Sequence, residues 1–347
     1  MPDLGSKILR VIGKATLLKT TRVGLENARA NQEFFARTIE DLLQEPGDGD
    51  GDGVAFVIVG GPSLHRRDPV PKILDSGFKG EVIVADGALG YCLRKGLVPG
   101  YVVTVDPHPS RIVRWFGDPQ LETRPQDDYF SRQDLDPEHW NDEVLQNRQL
   151  LELVNRHGRQ IKAIISTSVD TSVTRRCVDA GMQLFWWNPL YDDHEEPESV
   201  SRRLFESNGI PCMVTGGNVG AAAWVFAHSI LRKKHVALVG MDLGYAPGTP
   251  LRNTQYYTEL TEMFGERAEE AYIQIHNPYL EETWYTDPTY GWYREVMLRL
   301  VCEAPCVTYN CTEGGTLFGD GIRFIPVEEF LARFSSSRRQ LQAFPAR

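Results

Sequence analysis

The spacing of apolar residues changes twice along the chain. Over Met1–Gln44, Leu, Ile and Ala recur at helical intervals and no proline follows Pro2, which predicts an N-terminal helical extension over residues 1–46. Glu45-Pro46 and the run GDGDGDG, Gly47–Gly53, break that pattern and read as an acidic, flexible linker. From Val54 the apolar residues come in short continuous runs rich in β-branched side chains: VAFVIVG (Val54–Gly60), EVIVAD (Glu81–Asp86), YVVTVD (Tyr101–Asp106) and IKAIIST (Ile161–Thr167). Leu184–Trp187, VALVGM (Val236–Met241) and CVTYN (Cys306–Asn310) continue the series. Apolar runs without alternation belong to strands covered on both faces. Helical stretches separate most of them. The repeated order of strand, loop and helix predicts an α/β fold, a doubly wound, mostly parallel, Rossmann-like sheet over residues 54–330. A short tail, 331–347, follows.

Other segments fit this frame less regularly. Phe116–Asn155 is polar and reads as an insertion plus one helix; Asp192–Asn208 is acidic and reads as a loop or lid. Arg252–Tyr293 is dense in Tyr, Trp, Glu and Thr, a composition suited to an aromatic-rich cap over a site. Glu295–Cys302 and Val327–Arg333 read as closing helices.

Charge and cysteine content narrow the function classes. The formal net charge of -10 argues against nucleic acid or an anionic membrane as the main partner, because those need a basic face. No stretch approaches the ~18 apolar residues of a membrane span. The basic N-terminus lacks the continuous apolar segment of an export signal. The six cysteines have neither disulfide-framework nor zinc-site spacing, which fits a reducing cytoplasm. Asp48, Asp50, Asp52 and Gly53 imitate the start of a calcium loop, but the position of its bidentate Glu is Val59, inside an apolar run.

Candidate chemistry sits where strands end, because open α/β sheets bind ligands outside their carboxyl edge. The first strand ends in Gly60-Gly61-Pro62-Ser63. Two glycines allow close backbone approach, and Ser63 opens a helix whose N–H groups can face phosphate. No Lys-Ser/Thr pair or third Gly follows, so the element is neither a P-loop nor a dinucleotide fingerprint. The second and third strands end on Asp86 and Asp106, carboxylates suited to a ribose hydroxyl, a Mg²⁺ ion or a reacting proton. Thr215-Gly216-Gly217-Asn218 precedes a run of small residues and forms a second anion-facing turn. Asp242 ends the next strand, and Tyr245 follows as the expected substrate contact. His65, His108 and His276 lie near these segments, and none is assigned a role.

In order, GGPSL, ADGAL, VTVDPHP, TGGNVGAAA and VALVGMDLGYAPG, with TYNCTEGG near the end, resemble the motility accessory factor (Maf) family. Its core domain is shared with archaeal 6-hydroxymethyl-dihydropterin pyrophosphokinases. The resemblance spans roughly Val54–Pro326. It implies a glycosyltransferase moving a sialic-like (nonulosonic) sugar from a CMP-activated donor to a protein or glycan acceptor, flagellin among the candidates. The outline is also similar to bacterial sialyltransferases. By that likeness Gly60, Gly61, Pro62, Ser63 and Asp86 line the nucleotide site, and Thr215, Gly216, Gly217 and Asn218 face the donor phosphate or sugar. Asp106 and Asp242 are the expected catalytic carboxylates. Asp86 and Asp106 stand where sialyltransferases tend to have Asn, which leaves room for a metal, Mg²⁺ being the candidate. Tyr279–Asp287 has no His where those enzymes carry their base. The chain also lacks the large flanking regions of many Maf proteins, so its acceptor need not be flagellin. Two other readings remain: a Mg²⁺-dependent pyrophosphokinase of a pterin-like alcohol using Asp86, Asp106 and Asp242, and a non-catalytic nucleotide-sugar-binding protein.

Overall fold

The computed structural model describes residues 20–44, 53–123 and 146–335. The predicted acidic linker up to Asp52 and most of the polar insertion lie outside them. Nine strands form one parallel sheet: β1 (Val54–Ile58), β2 (Glu81–Ala85), β3 (Tyr101–Thr104), β4 (Lys162–Ser166), β5 (Gln183–Pro189), β6 (Cys212–Met213), β7 (His235–Val239), β10 (Val307–Asn310) and β11 (Ile322–Phe324). Their order is β11-β10-β7-β1-β2-β3-β4-β5-β6, and every pairing is parallel. The chain winds outward from β1 to β6, returns across β1 to β7, and then winds the other way. The order therefore reverses between β1 and β7.

Alternate residues of each strand face different layers, since successive side chains point to opposite faces. Phe56, Ile58, Val84, Val102, Ala163 and Ile165 share one core with the helices Pro69–Asp75, Asp86–Arg94, Asn147–His157, Thr171–Asp179 and Val327–Phe334. Ala55, Val57, Ile83, Val103, Ile164 and Leu238 share the other with Val219–Val225 and Pro288–Glu303. The continuous apolar runs follow from this two-sided burial. Trp224 fixes the second layer, donating from Nε1 to Thr308 Oγ1 at 3.0 Å across a buried contact.

Residues 20–44 of the N-terminal extension are part of the sheet's packing. Residues 20–30 form a helix. Its Asn27 Nδ2 donates to Ser168 O at 2.7 Å, and Asn31 Nδ2 donates to Val169 O at 2.8 Å. The segment thereby docks beside the carboxyl end of β4. Downstream, Trp186 N donates to Arg37 O at 2.9 Å, and Thr38 bridges Trp186. This covers the outer edge of β5 that the two-residue β6 leaves open, a protection that exposed edges need.

The acidic stretch expected to be a loop contains a helix, Val200–Asn208. Asp192 folds back on its start, accepting from Val200 N at 2.7 Å and Ser201 N at 3.0 Å, so the charges that suggested a loop cap a helix instead. The aromatic-rich segment holds the helix Tyr257–Phe264 and an antiparallel hairpin of β8 (Ile273–Asn277) and β9 (Glu282–Thr286). The long closing helix begins at Pro288, seven residues before the predicted start, and the last one runs to Phe334. Among the described residues no helix is long and apolar enough to cross a membrane, and all six cysteines are free.

Asp287 joins hairpin, helix and sheet. It is fully buried and caps the sixteen-residue helix Pro288–Glu303, accepting from Thr289 N at 2.7 Å and Tyr290 N at 2.9 Å. Its other oxygen accepts from Tyr245 Oη at 2.5 Å. Replacing Asp287 with Ala removes the cap and takes away the carboxylate that accepts from the buried Tyr245 hydroxyl. The expected loss is about 2–4 kcal/mol of unfolding free energy. Urea titration of the two proteins checks this, and equal midpoints would refute it.

Candidate functional site

All nine parallel strands present their carboxyl ends on one edge, and the strand order reverses there between β1 and β7, the place where open α/β sheets bind ligands. Gly60 and Gly61 carry the chain out of β1 into it. Gly61 N donates to Gly240 O at 2.9 Å. A Cβ on Gly61 would stand 2.4 Å from Asp242 Oδ2 and 2.5 Å from Gly240 O. On Gly60 it would stand 3.2 Å from the Gly87 backbone. Close approach thus requires glycine at 61 and makes a side chain at 60 a tight fit. Gly61 touches the loop after β7, and Gly60 touches the start of the helix Asp86–Arg94.

Asp242 is 2% exposed. Pro62 starts the helix Pro62–Arg67, and Ser63 donates from its backbone N to Asp242 Oδ2 at 3.1 Å and from Oγ to Oδ1. The turn after β10 closes over the same residue: Thr316 N donates to Asp242 O at 2.8 Å, and Gly315 adopts φ +78° against its backbone. The carboxylate occupies the position at the helix start where an anion would satisfy the free N–H groups.

Asp86 and Asp106 differ in setting. Asp86 is the first residue of the helix Asp86–Arg94 and is buried. It accepts from Thr104 Oγ1 at 2.8 Å and Gly87 N at 2.7 Å. Burial raises its pKa from 3.8 to about 6, with the charge of Asp106 adding to the rise and the two hydrogen bonds opposing it. Asp106 keeps 36% of its side chain exposed; it pairs with Arg111 and accepts from His108 N at 2.9 Å. His108 Nδ1 accepts from Arg111 N at 3.2 Å, so that nitrogen carries no proton.

Thr215–Asn218 approaches β1 from the opposite face. Asn218 caps the helix Val219–Val225 through Oδ1, which accepts from Ala221 N at 2.9 Å. Gly220 lies against Val59, where a Cβ would stand 3.1 Å from both methyls. Two of the turn's N–H groups are used internally: Gly217 N donates to Thr215 Oγ1 at 3.1 Å and Asn218 N to Thr215 O at 3.3 Å. Asn218 Nδ2 is buried and has no hydrogen-bond partner among the described residues. Gly216 and Gly217 hold φ of +59° and +86°, and the rings of Trp292 and Tyr293 press on Gly217. Trp292 itself is 42% exposed.

The structure thus gathers Gly60, Gly61, Pro62, Ser63, Asp86 and Asp242 with the Thr215–Asn218 turn around the end of β1, with Asp106 one strand beyond Asp86. Tyr245 lies elsewhere in the loop. It is buried, its hydroxyl engages Asp287, and its backbone pairs with Tyr285. Sequence reasoning missed Arg66 and Arg67. With Ser63, Ala246, Pro247, Glu282 and Trp284 they line a cavity of about 350 Å³. The signal was available, since HRR follows GGPSL directly, but on a helix two exposed arginines read as a solvated face. No three His, Cys, Asp or Glu side chains converge as a metal site among the described residues.

The folded state holds the Asp86 proton more tightly than the unfolded chain. Stability should therefore fall as pH rises from about 4 to about 6 and stay lower above that. Asp86→Asn cannot ionise. It should be more stable than the parent near pH 8 by up to about 3 kcal/mol, with the advantage shrinking near pH 4. Denaturation midpoints at both values test this, and a pH-independent difference would contradict it.

No protein-family model matches the sequence, and no curated protein matches it. Among solved structures, a Maf glycosyltransferase of Magnetospirillum magneticum AMB-1 is similar, with a TM-score of 0.50 and 15% sequence identity. The similarity covers 84% of this chain and 38% of that one, so the chain spans well under half the length of that protein. What the two share is the fold.

Proposed function

We propose that this chain is a glycosyltransferase whose donor is a CMP-activated, sialic-like (nonulosonic) sugar and whose acceptor is a protein or glycan. The observation that carries this reading is the convergence of two glycine turns, from opposite faces, on the end of β1 at the strand-order reversal. Such a crevice suits a nucleotide, whose phosphate needs backbone close by and whose base and sugar need walls on both sides. The shared fold with a Maf glycosyltransferase agrees with it.

In this reading the bond between the sugar's anomeric carbon and the donor phosphate oxygen breaks, and its electron pair leaves with CMP. Asn218 Nδ2, a buried donor without a partner among the described residues, stabilises the departing oxygen. The acceptor hydroxyl adds to the anomeric carbon and its proton passes to a carboxylate. Asp106 fills that role better than Asp242, because Asp242 is buried while Asp106 is partly exposed. Arg111 and the His108 N–H hold its orientation. The ring of Trp292 walls the crevice beside the Gly217 turn.

Thermal midpoints with CMP, CDP, UDP, ADP and ATP, each with and without Mg²⁺, test the reading. CMP at a hundred times its Kd should add about 2.7 kcal/mol of stability. Asp106→Ala should keep that response and lose transfer by a hundredfold or more, within the roughly 10²–10⁴ range of general acid–base catalysis. A response to ATP or ADP with Mg²⁺ alone would replace this reading with the pyrophosphokinase. Unchanged transfer in Asp106→Ala would remove Asp106 from the mechanism.

A further inference from the structure

The cavity beside Ser63 differs chemically from the crevice around Gly60. It lies on the β7 side of the β1 loop, bounded by the helix Pro62–Arg67, the loop after β7 and strand β9. The Ser63–Asp242 contact and the tight fit of Gly61 stand between it and the Asp86–Gly87 side. In a chain with net charge -10, two adjacent arginines line it. Arg66 has no hydrogen bond or ion pair to any described residue. Among the described residues Arg67 donates only from Nε, to Glu313 O at 2.9 Å, which leaves its two terminal nitrogens unused there. Opposite them stand Pro247 and the buried Trp284, whose Nε1 donates to Glu282 Oε2 at 3.0 Å. Two guanidinium groups offer forked donors to a carboxylate or phosphate. Proline and an indole offer an apolar wall of the kind that packs on the C–H face of a sugar ring, and the second oxygen of Glu282 can accept from a hydroxyl. A volume of about 350 Å³ is at the small end of ligand pockets, the size for a single ring with one substituent.

We propose that this cavity is a second ligand site and that its ligand is an anionic sugar, a ring with hydroxyls and one phosphate or carboxylate held by Arg66 and Arg67. The assignment goes beyond the transferase reading, since the cavity lies on the β7 side of β1 and Asp106 lies beyond β2 on the other side. It fixes where the ligand sits and which charge it carries.

Three probes differ at one position only: glucose, glucose 6-phosphate and glucuronate. Their binding to the full chain, with CMP as a fourth ligand, is measured by calorimetry for the parent, Arg66→Gln and Arg67→Gln. Both arginines are exposed, so thermal melting should show the variants folded. The expected result is that one anionic sugar binds at least about tenfold more tightly than glucose, as loss of one charged hydrogen bond implies. Each substitution should bring that sugar to the level of glucose and leave CMP unchanged. Which of the two binds tells phosphate from carboxylate. Equal binding of all three sugars, no binding of any, or no effect of either substitution overturns the proposal. So does a loss of CMP affinity in Arg66→Gln or Arg67→Gln, because the cavity would then hold the nucleotide's phosphate. Arginine-dependent sugar binding without any CMP binding would retain the anionic-sugar site and reject the CMP donor. CMP binding without it would do the reverse.

Discussion

The buried contact between Ser63 and Asp242 sets the geometry of everything near the site. Strands β1 and β7 are neighbours whose chains leave in opposite directions around the sheet. Their loops can stay together only if something ties them at the carboxyl edge. Asp242 does so by accepting from both the backbone and the hydroxyl of Ser63. Burying a carboxylate is costly unless donors surround it, and here the free N–H groups at a helix start supply part of that compensation. The tie demands small residues on every side. Gly61, Gly314 and Gly315 all lie where a Cβ would strike Asp242 or Ser63, and one on Gly240 would strike the Val59 carbonyl just after β1. The glycine-rich character of these loops therefore follows from one contact, before any ligand is considered.

That contact also divides the anion-binding capacity of the edge. With a carboxylate already at the start of the helix Pro62–Arg67, this helix start is a poor seat for a phosphate. The donors that remain lie on either side: Asn218 Nδ2 toward the second core, and the terminal nitrogens of Arg66 and Arg67 beyond the helix. A strongly acidic chain gains selectivity from such an arrangement. Its overall charge repels anions at long range, so only a ligand that makes short-range contacts is retained.

Much of the fold was legible because burial on both faces writes continuous apolar runs. Strands β1, β2, β3, β4, β7 and β10 carry such runs, and their positions follow from sequence alone. Strand ends were overextended. Asp86 begins a helix rather than ending a strand, because a carboxylate at the first helical position looks the same in sequence as one at a strand tip. Strands β6 and β11 have two and three residues and are too short to show a period. The β8–β9 hairpin was hidden by its exposure, since Ile273, Gln274 and His276 face outward on a two-stranded sheet. Among site residues, the glycines and aspartates were readable because they punctuate apolar runs. The burial of Tyr245 was not, because its partner Asp287 lies 42 residues away.

The aromatic segment is held to the sheet in a way that limits how it can act. Tyr245 pairs its backbone with Tyr285 of the hairpin and its hydroxyl with Asp287 at the start of the long helix. Thr286 Oγ1 donates to Leu243 O at 3.2 Å, and Asn277 Nδ2 donates to Gly315 O at 2.9 Å. The base of the hairpin is thus stitched to the loops after β7 and β10, the same loops that enclose Asp242. A cap anchored there cannot lift as a rigid lid without breaking buried hydrogen bonds, each of which costs energy to leave unpaired. Helix Tyr257–Phe264 has one buried residue and packs mainly with Ala268 and Ala271 in a core of its own. Few apolar contacts mark the elements that open most easily. Any movement that admits substrate should therefore begin at that helix, while the hairpin and Asp242 keep the crevice formed.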